Sequence, residues 1–231
     1  MRFSPSSINS FFQCPRSWYY QSIQAPTIPV DDRYARLGSE IHSLIKLYFV
    51  RQIDIPTESL IEKLAWDVFK NFDPELNFMK KEAQRIWRNF IEYEKNRLKS
   101  SNKYKPEFVE QKFVIDDYIH GIVDFYGDGV IIDWKTGRFR FLTQDIVRQG
   151  NFYKYMLEKA GFPVKKILFV YLRDNKVQEI PPKPHVWVER EVEKVRNMIK
   201  EEYFPKKPSE LCSWCEYRLV CEFSDTVWWS L

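Results

Sequence analysis

No run of about 18 uncharged apolar residues occurs in this 231-residue chain, which excludes a membrane-spanning helix on length. The opening Met1-Arg2-Phe3-Ser4-Pro5 lacks the apolar core of a secretory signal, so the sequence reads as an intracellular, cytoplasmic protein. It has neither a short repeat nor a low-complexity tract, which argues against solenoids and linker-like chains. Cysteines number only four. In a reducing compartment they read as metal ligands or buried thiols before disulfides. A dominant charge sign is also missing: 36 basic against 32 acidic residues leave a formal +4. That balance names no nucleic-acid partner, so any phosphate-binding surface has to come from local clustering.

Apolar mass is plentiful. Hydrophobic residues make up 44% and aromatics 17% of the chain, with 29% charged. This excludes a disordered chain and supplies a core for one large domain or two small ones.

Ser4-Pro5-Ser6 reads as a helix start, with Ser4 as cap and Pro5 in the first helical position. That helix is expected to run to about Tyr20. A second is expected from about Arg33 to Val50, where Leu37, Ile41, Leu44, Ile45 and Tyr48 recur at helical spacing. A third starts near Thr57 with Leu60, Leu64 and Val68, and a fourth follows Pro74 and carries Ile86, Trp87, Phe90 and Leu98. The pattern then turns β-like over Phe108–Ile115, Tyr118–Tyr126 and Val130–Thr136, with Gly127-Asp128-Gly129 as a hairpin turn. A helix over Leu142–Lys159 follows, capped by Thr143 and stopped at Gly161. Strands Lys165–Arg173 and Lys176–Ile180 and a helix over His185–Glu202 precede a cysteine-bearing tail. The order predicts an α/β fold with a helical N-terminal portion.

Chemistry concentrates in Gly121-Ile122-Val123-Asp124 and Ile131-Ile132-Asp133-Trp134-Lys135. Residues two apart in a strand share a face, so Asp133 and Lys135 point one way and Ile132 and Trp134 the other. Antiparallel pairing through the hairpin turn brings Asp124 alongside Asp133. Two carboxylates suit a hard divalent ion, which polarises a phosphodiester and activates water, and a nearby lysine offsets charge in the transition state. Asp-x-Lys alone also describes an ordinary surface ion pair; the upstream Asp124 favours the metal reading.

These segments resemble the PD-(D/E)XK nuclease superfamily, and within it the RecB-like nucleases that carry an iron–sulfur cluster, including CRISPR-associated RecB-like exonucleases, the AddB nuclease domain and archaeal viral relatives. The resemblance implies a restriction-endonuclease-like core, a mixed sheet flanked by helices, with a C-terminal iron–sulfur-binding tail. It divides the chain into 1–32 (first helix and first cluster cysteine), 33–107 (helical region with His42), 108–184 (nuclease core) and 185–231 (last helix and three-cysteine tail). It makes His42, in Gly38-Ser39-Glu40-Ile41-His42, a metal ligand beside Asp124, Asp133 and the Trp134 carbonyl, for Mg²⁺ or Mn²⁺. It gives Lys135 a catalytic role. Gln149 and Tyr153, placed on one helix face by their i, i+4 spacing, become substrate contacts, and Arg148 adds a phosphate contact. Gly150 lies inside that motif at a cost in helix propensity. Glu110 on the first strand is an extra ligand, an acid that supports the ligands from behind, or a solvated charge.

Cys212, Cys215 and Cys221 form Cys-x₂-Cys-x₅-Cys, and Cys14 sits at the far end in Gln13-Cys14-Pro15. Such ligands suit zinc or an iron–sulfur cluster, and the sequence does not separate the two. The one-plus-three layout resembles the family's four-iron four-sulfur (4Fe-4S) site. A metal there would staple the first helix to the tail and anchor the end that holds Trp214, Trp228 and Trp229. Basic and aromatic residues alternate in Arg16-Ser17-Trp18-Tyr19-Tyr20 and Arg138-Phe139-Arg140-Phe141. Each reads either as a grip on single-stranded DNA or as core aromatics with a charged loop.

The resemblance thus implies a metal-dependent deoxyribonuclease acting on single-stranded DNA or DNA ends, as an exonuclease with 5′-to-3′ polarity, in CRISPR adaptation or in DNA repair and recombination. CRISPR adaptation or recombination proteins and a second copy of the chain are the protein partners it allows. The alternatives are a DNA-end-binding subunit with little activity alone, and a zinc-stabilised nucleic-acid-binding protein.

Overall fold

The computed structural model describes residues 2–24, 26, 31–50, 74–99, 104–116 and 118–221. The expected helix from Thr57 and the residues Trp228 and Trp229 lie outside these. Helix α1 (Pro5–Gln13) starts as expected: the Ser4 hydroxyl accepts from the Ser7 amide at 3.1 Å, and Pro5 fills the first turn. It does not run on to Tyr20. The chain breaks at Cys14, which is extended (φ −157°), and restarts as α2 (Pro15–Tyr19), followed by a π-turn over Tyr20–Gln24. Pro15 is the cause, because proline disfavours the helical region for the residue before it. The break leaves Cys14 half-buried at the junction of the two helices.

Helix α3 (Arg33–Val50) follows, then a 3₁₀ turn over Pro74–Met79 leading into α4 (Lys80–Lys99). The sheet comprises β1 (Phe108–Ile115), β2 (Ile119–Gly127), β3 (Val130–Lys135), β4 (Lys166–Tyr171) and β5 (Lys176–Glu179) in that spatial order. Only β3 and β4 are parallel, the other neighbours being antiparallel. The crossover between β3 and β4 is α5 (Gln144–Lys159), capped by Thr143, and α6 (His185–Lys200) precedes two short 3₁₀ turns, Glu210–Trp214 and Glu216–Leu219. The β2–β3 hairpin turns at Asp128 and Gly129, with φ of 53° and 83°. Both positive values fit a type I′ turn, which matches strand twist.

Helices cover both faces of the mixed sheet. On one face Ile8, Phe11 and Trp18 pack with Phe152 and Met156 of α5, Val188 and Val192 of α6, and Ile131 and Phe169 of the sheet. On the other, Leu37, Ile41 and Ile45 of α3 and Ile86, Trp87 and Phe90 of α4 pack on Ile132, Trp134 and Val170. Each of these cores fills one side because strand side chains alternate. Gly150 does not interrupt α5. A Cβ there would meet Ile167 at 3.1 Å and Ile180 at 3.0 Å, so the bare backbone lets α5 lie close on the sheet. Among the described residues no helix is long and apolar enough to cross a membrane.

Candidate metal centre and nuclease site

The register Phe125↔Ile132 and Tyr126↔Ile131, continued by one step, sets Asp124 opposite Asp133. The ladder stops there. Instead of a backbone bond, the Asp124 carboxylate accepts the Trp134 amide at 2.9 Å. Val123 joins one core and Phe125 the other, although residues two apart share a face in a regular strand. Strand β2 therefore twists at Asp124. Across from it on β1, Glu110 has a φ of 50°, a left-handed conformation that costs of order 1–3 kcal/mol for a residue with a side chain. The register places Glu110 between Val109↔Phe125 and Gln111↔Val123, facing Asp124.

His42 reaches this point from α3. Its Nδ1 lies 2.8 Å from Glu110 Oε1 and 3.6 Å from Asp124 Oδ2, and its Nε2 lies 3.0 Å from the Trp134 carbonyl oxygen. Both ring nitrogens thus face acceptors, the arrangement of an imidazolium. Burial opposes that charge, but Asp124, Glu110 and Asp133 outweigh it and lift the His42 pKa to about 9. Burial and the neighbouring Asp133 push the Asp124 carboxyl well above its ordinary range, against the pull of His42. Ligand atoms of His42, Glu110 and Asp124 all lie within 4.8 Å of one another, and among the described residues they are the one such group.

Beside it, Lys135 Nζ lies 2.7 Å from Asp133 Oδ2 and donates to Gln149 Oε1 at 2.8 Å. Gln149 Nε2 donates to the Tyr153 hydroxyl at 3.0 Å and reaches Asp133 Oδ1 at 3.5 Å. Asp133 Oδ2 is buried, with the Lys135 ammonium beside it. Trp134, on the opposite face, is locked edge-on against Phe90 and Tyr93, which fixes its carbonyl and the flanking Asp133 and Lys135. Burial and the nearby aspartates raise the Tyr153 hydroxyl well above the usual phenol range, so it stays a neutral donor.

Every expected residue of this group comes together here except Arg148. Its guanidinium is buried and turned away, bonded to Asn9 Oδ1, Asp145 Oδ1 and Glu191 Oε2, with Phe12 beneath it at 4.1 Å. It ties α1, α5 and α6 together. Glu110, left open by the sequence, joins the group; the signal that could have found it was the register of β1 against Asp124. The two basic–aromatic segments divide. Trp18 and Tyr20 are buried, with Trp18 Nε1 donating to Ser7 Oγ, whereas Phe141 is 85% exposed.

The four cysteines are half-buried free thiols that line one cavity of about 260 Å³ with Tyr20 and Tyr217. They do not close into a tight group like that of His42. Tyr20 anchors the tail beside them, its hydroxyl donating to the Val220 carbonyl and its ring 5.5 Å from that of Tyr217.

No match to this chain is found among curated proteins. A solved structure described as "Crystal structure of SSO0001" is similar at 14% identity over 96% of this chain and 85% of that one, with a TM-score of 0.42. The family model of the PD-(D/E)XK nuclease superfamily, whose members are generally metal-dependent nucleases, matches residues 2–222; this chain belongs to that superfamily.

Proposed function

We propose that the protein is a metal-dependent deoxyribonuclease of the RecB-like iron–sulfur branch. The observation that carries the reading is the convergence of His42, Glu110 and Asp124 within 4.8 Å, next to the Asp133–Lys135 pair at 2.7 Å. The donor set fits a divalent ion: carboxylate and carbonyl oxygens suit Mg²⁺ or Mn²⁺, and the imidazole favours the softer Mn²⁺. The buried Asp133 carboxylate adds a further hard oxygen donor beside them. His42, Glu110, Asp124, Asp133 and the Trp134 carbonyl would hold it. When bound, the ion supplies a polarised phosphoryl group and a water of lowered pKa.

The chain's own groups do the rest. Lys135 presents an ammonium held between Asp133 and Gln149, placed to offset charge on the phosphodiester in the transition state. Gln149 and Tyr153 orient that lysine and offer donors to the strand. The substrate favoured is single-stranded DNA or a DNA end, cut as an exonuclease. The exposed Phe141, following Arg138 and Arg140, is suited to base stacking. CRISPR adaptation or repair and recombination are the settings of this branch.

The cysteine cavity is assigned to a 4Fe-4S cluster on Cys14, Cys212, Cys215 and Cys221. The one-plus-three layout of these cysteines around a single cavity supports the cluster, and zinc is the other metal that the same thiols suit. The segments 1–32, 33–107, 108–184 and 185–231 then serve as cluster anchor, histidine-bearing helices, nuclease core and cluster tail.

The test is cleavage of end-labelled single-stranded and duplex DNA after anaerobic purification, with Mn²⁺, Mg²⁺ or EDTA. Lys135→Ala and Asp133→Ala are expected to lower the rate at least about 100-fold while leaving the visible cluster absorbance intact. Undiminished cutting by Asp133→Ala overturns the site. A folded, iron-loaded protein that cuts only with a co-purifying partner would place it as a subunit of a larger machine.

A further inference from the structure

The cavity over the metal centre has a volume of about 950 Å³, far more than one ion and its waters need. His42, Glu110 and Asp124 occupy only one part of its lining; elsewhere Lys46, Lys112 and His120 line it, and among the described residues Glu110 and Asp124 are its only acids. Lys46 lies one helical turn beyond His42 on α3. Lys112 and His120 lie on β1 and β2, two residues off direct pairing in the register Lys112↔Ile122, so they share a face as diagonal neighbours. The N-terminal segment holds this end in place: the Phe3 amide donates to the Tyr118 carbonyl, and the His120 amide donates to the Phe3 carbonyl.

Among the described residues neither Lys46 nor Lys112 makes an ion pair with an acid, and His120 Nδ1 is buried without a hydrogen-bond partner. Burial, then the positive charges of Lys112 and Arg2, disfavour a proton on His120, so His120 stands beside those cations as a neutral imidazole that can still donate one hydrogen bond. The Ser43 hydroxyl of α3 and the Ser4–Ser6 hydroxyl pair at the start of α1 line the same walls. A wall that gathers two lysines, an imidazole and hydroxyls beside the acids of the proposed metal centre suits a phosphate.

We propose that Lys112 and His120, with Lys46 across the cavity, bind a second phosphate of the same DNA strand, next to the one cleaved. The inference rests on the nuclease reading of the centre. It makes the site read at least one nucleotide beyond the scissile bond, and it gives the strand a fixed direction, from the Lys112–His120 end toward Lys135.

The experiment is a coupling cycle on binding, run with the full-length protein in EDTA so that cleavage plays no part. Fluorescent single-stranded oligonucleotides carry one neutral methylphosphonate at successive positions, and a parallel set ends in 5′-phosphate or 5′-hydroxyl. Lys112→Ala is expected to weaken binding about tenfold and to lower the slope of log affinity against log salt by about 1. The methylphosphonate at one position should cost the wild type a similar factor and cost Lys112→Ala nothing more. Coupling to an internal position identifies a phosphodiester, and coupling to the 5′ end identifies a terminal phosphate. Equal losses in wild type and variant at every position and end overturn the subsite. His120→Gln provides a second variant should Lys112→Ala fail to fold. Failure of the nuclease reading appears separately, as absence of metal-dependent cleavage by the wild type.

Discussion

Glu110 Oε1 lies 2.8 Å from His42 Nδ1, though 68 residues separate them in sequence. The contact joins an edge strand to a helix and needs a left-handed backbone at Glu110. Strain of this kind persists where the surroundings over-determine it, and here the surroundings are a set of potential metal ligands. Glu110→Gln keeps the shape and removes one negative charge. We expect divalent-metal affinity to fall about 10- to 100-fold. Calorimetric titration with Mn²⁺ checks it; unchanged affinity would make Glu110 a structural partner of His42 and nothing more.

Metal binding should release protons. Without metal His42 holds its proton, with a pKa raised to about 9, whereas coordination needs the neutral ring. Affinity is therefore expected to rise with pH up to about 9, by about tenfold per unit for each proton displaced. The metal-free fold is expected to follow the linked trend. A raised histidine pKa contributes stability that is full below the ordinary value of 6.5 and lost as pH rises toward about 9. Asp124, raised as well, acts with the same sign. Titrations in two buffers of different ionisation enthalpy count the protons; a count of zero at pH 7 contradicts this assignment.

Cys14→Ser is expected to lower bound iron and to loosen the tail, because Cys14 is the one thiol contributed by the N-terminal helices to the cavity shared with Cys212, Cys215 and Cys221. A cross-link spanning almost the whole chain restricts the unfolded state strongly, by about 2–4 kcal/mol in the disulfide analogy. Iron quantitation with limited proteolysis of the C-terminal segment measures both. Full iron content with zero zinc in the variant would remove Cys14 from the ligand set.

Glu94 is fully buried on α4, paired to Arg97 through two bonds of 2.8 Å, and Arg97 also donates to the Tyr104 carbonyl. Glu94→Ala leaves a buried guanidinium without its carboxylate, which is expected to cost about 3–5 kcal/mol. The double variant Glu94→Leu, Arg97→Met should recover much of that. Urea denaturation of the three proteins tests the pair.

Strand and helix positions from Phe108 onward were legible because local rules agree there: alternation in β2 and β3, a positive-φ turn at Asp128-Gly129, the Thr143 cap and a stop at Gly161. The Asp133–Lys135 pairing followed from strand period alone. Proline chemistry at Pro15 was equally local, yet the break it makes at Cys14 was hidden behind a continuing apolar pattern. Tertiary structure alone decided what depends on distant chain. It turned Arg148 to Asn9 and Glu191, twisted β2 at Asp124, brought His42 to Glu110 and gathered Lys112 and His120 over the same cavity as the acids. Period and turn chemistry act over a few residues and can be read from their order, whereas charge convergence is set by which strands pair and which helix face lands on them.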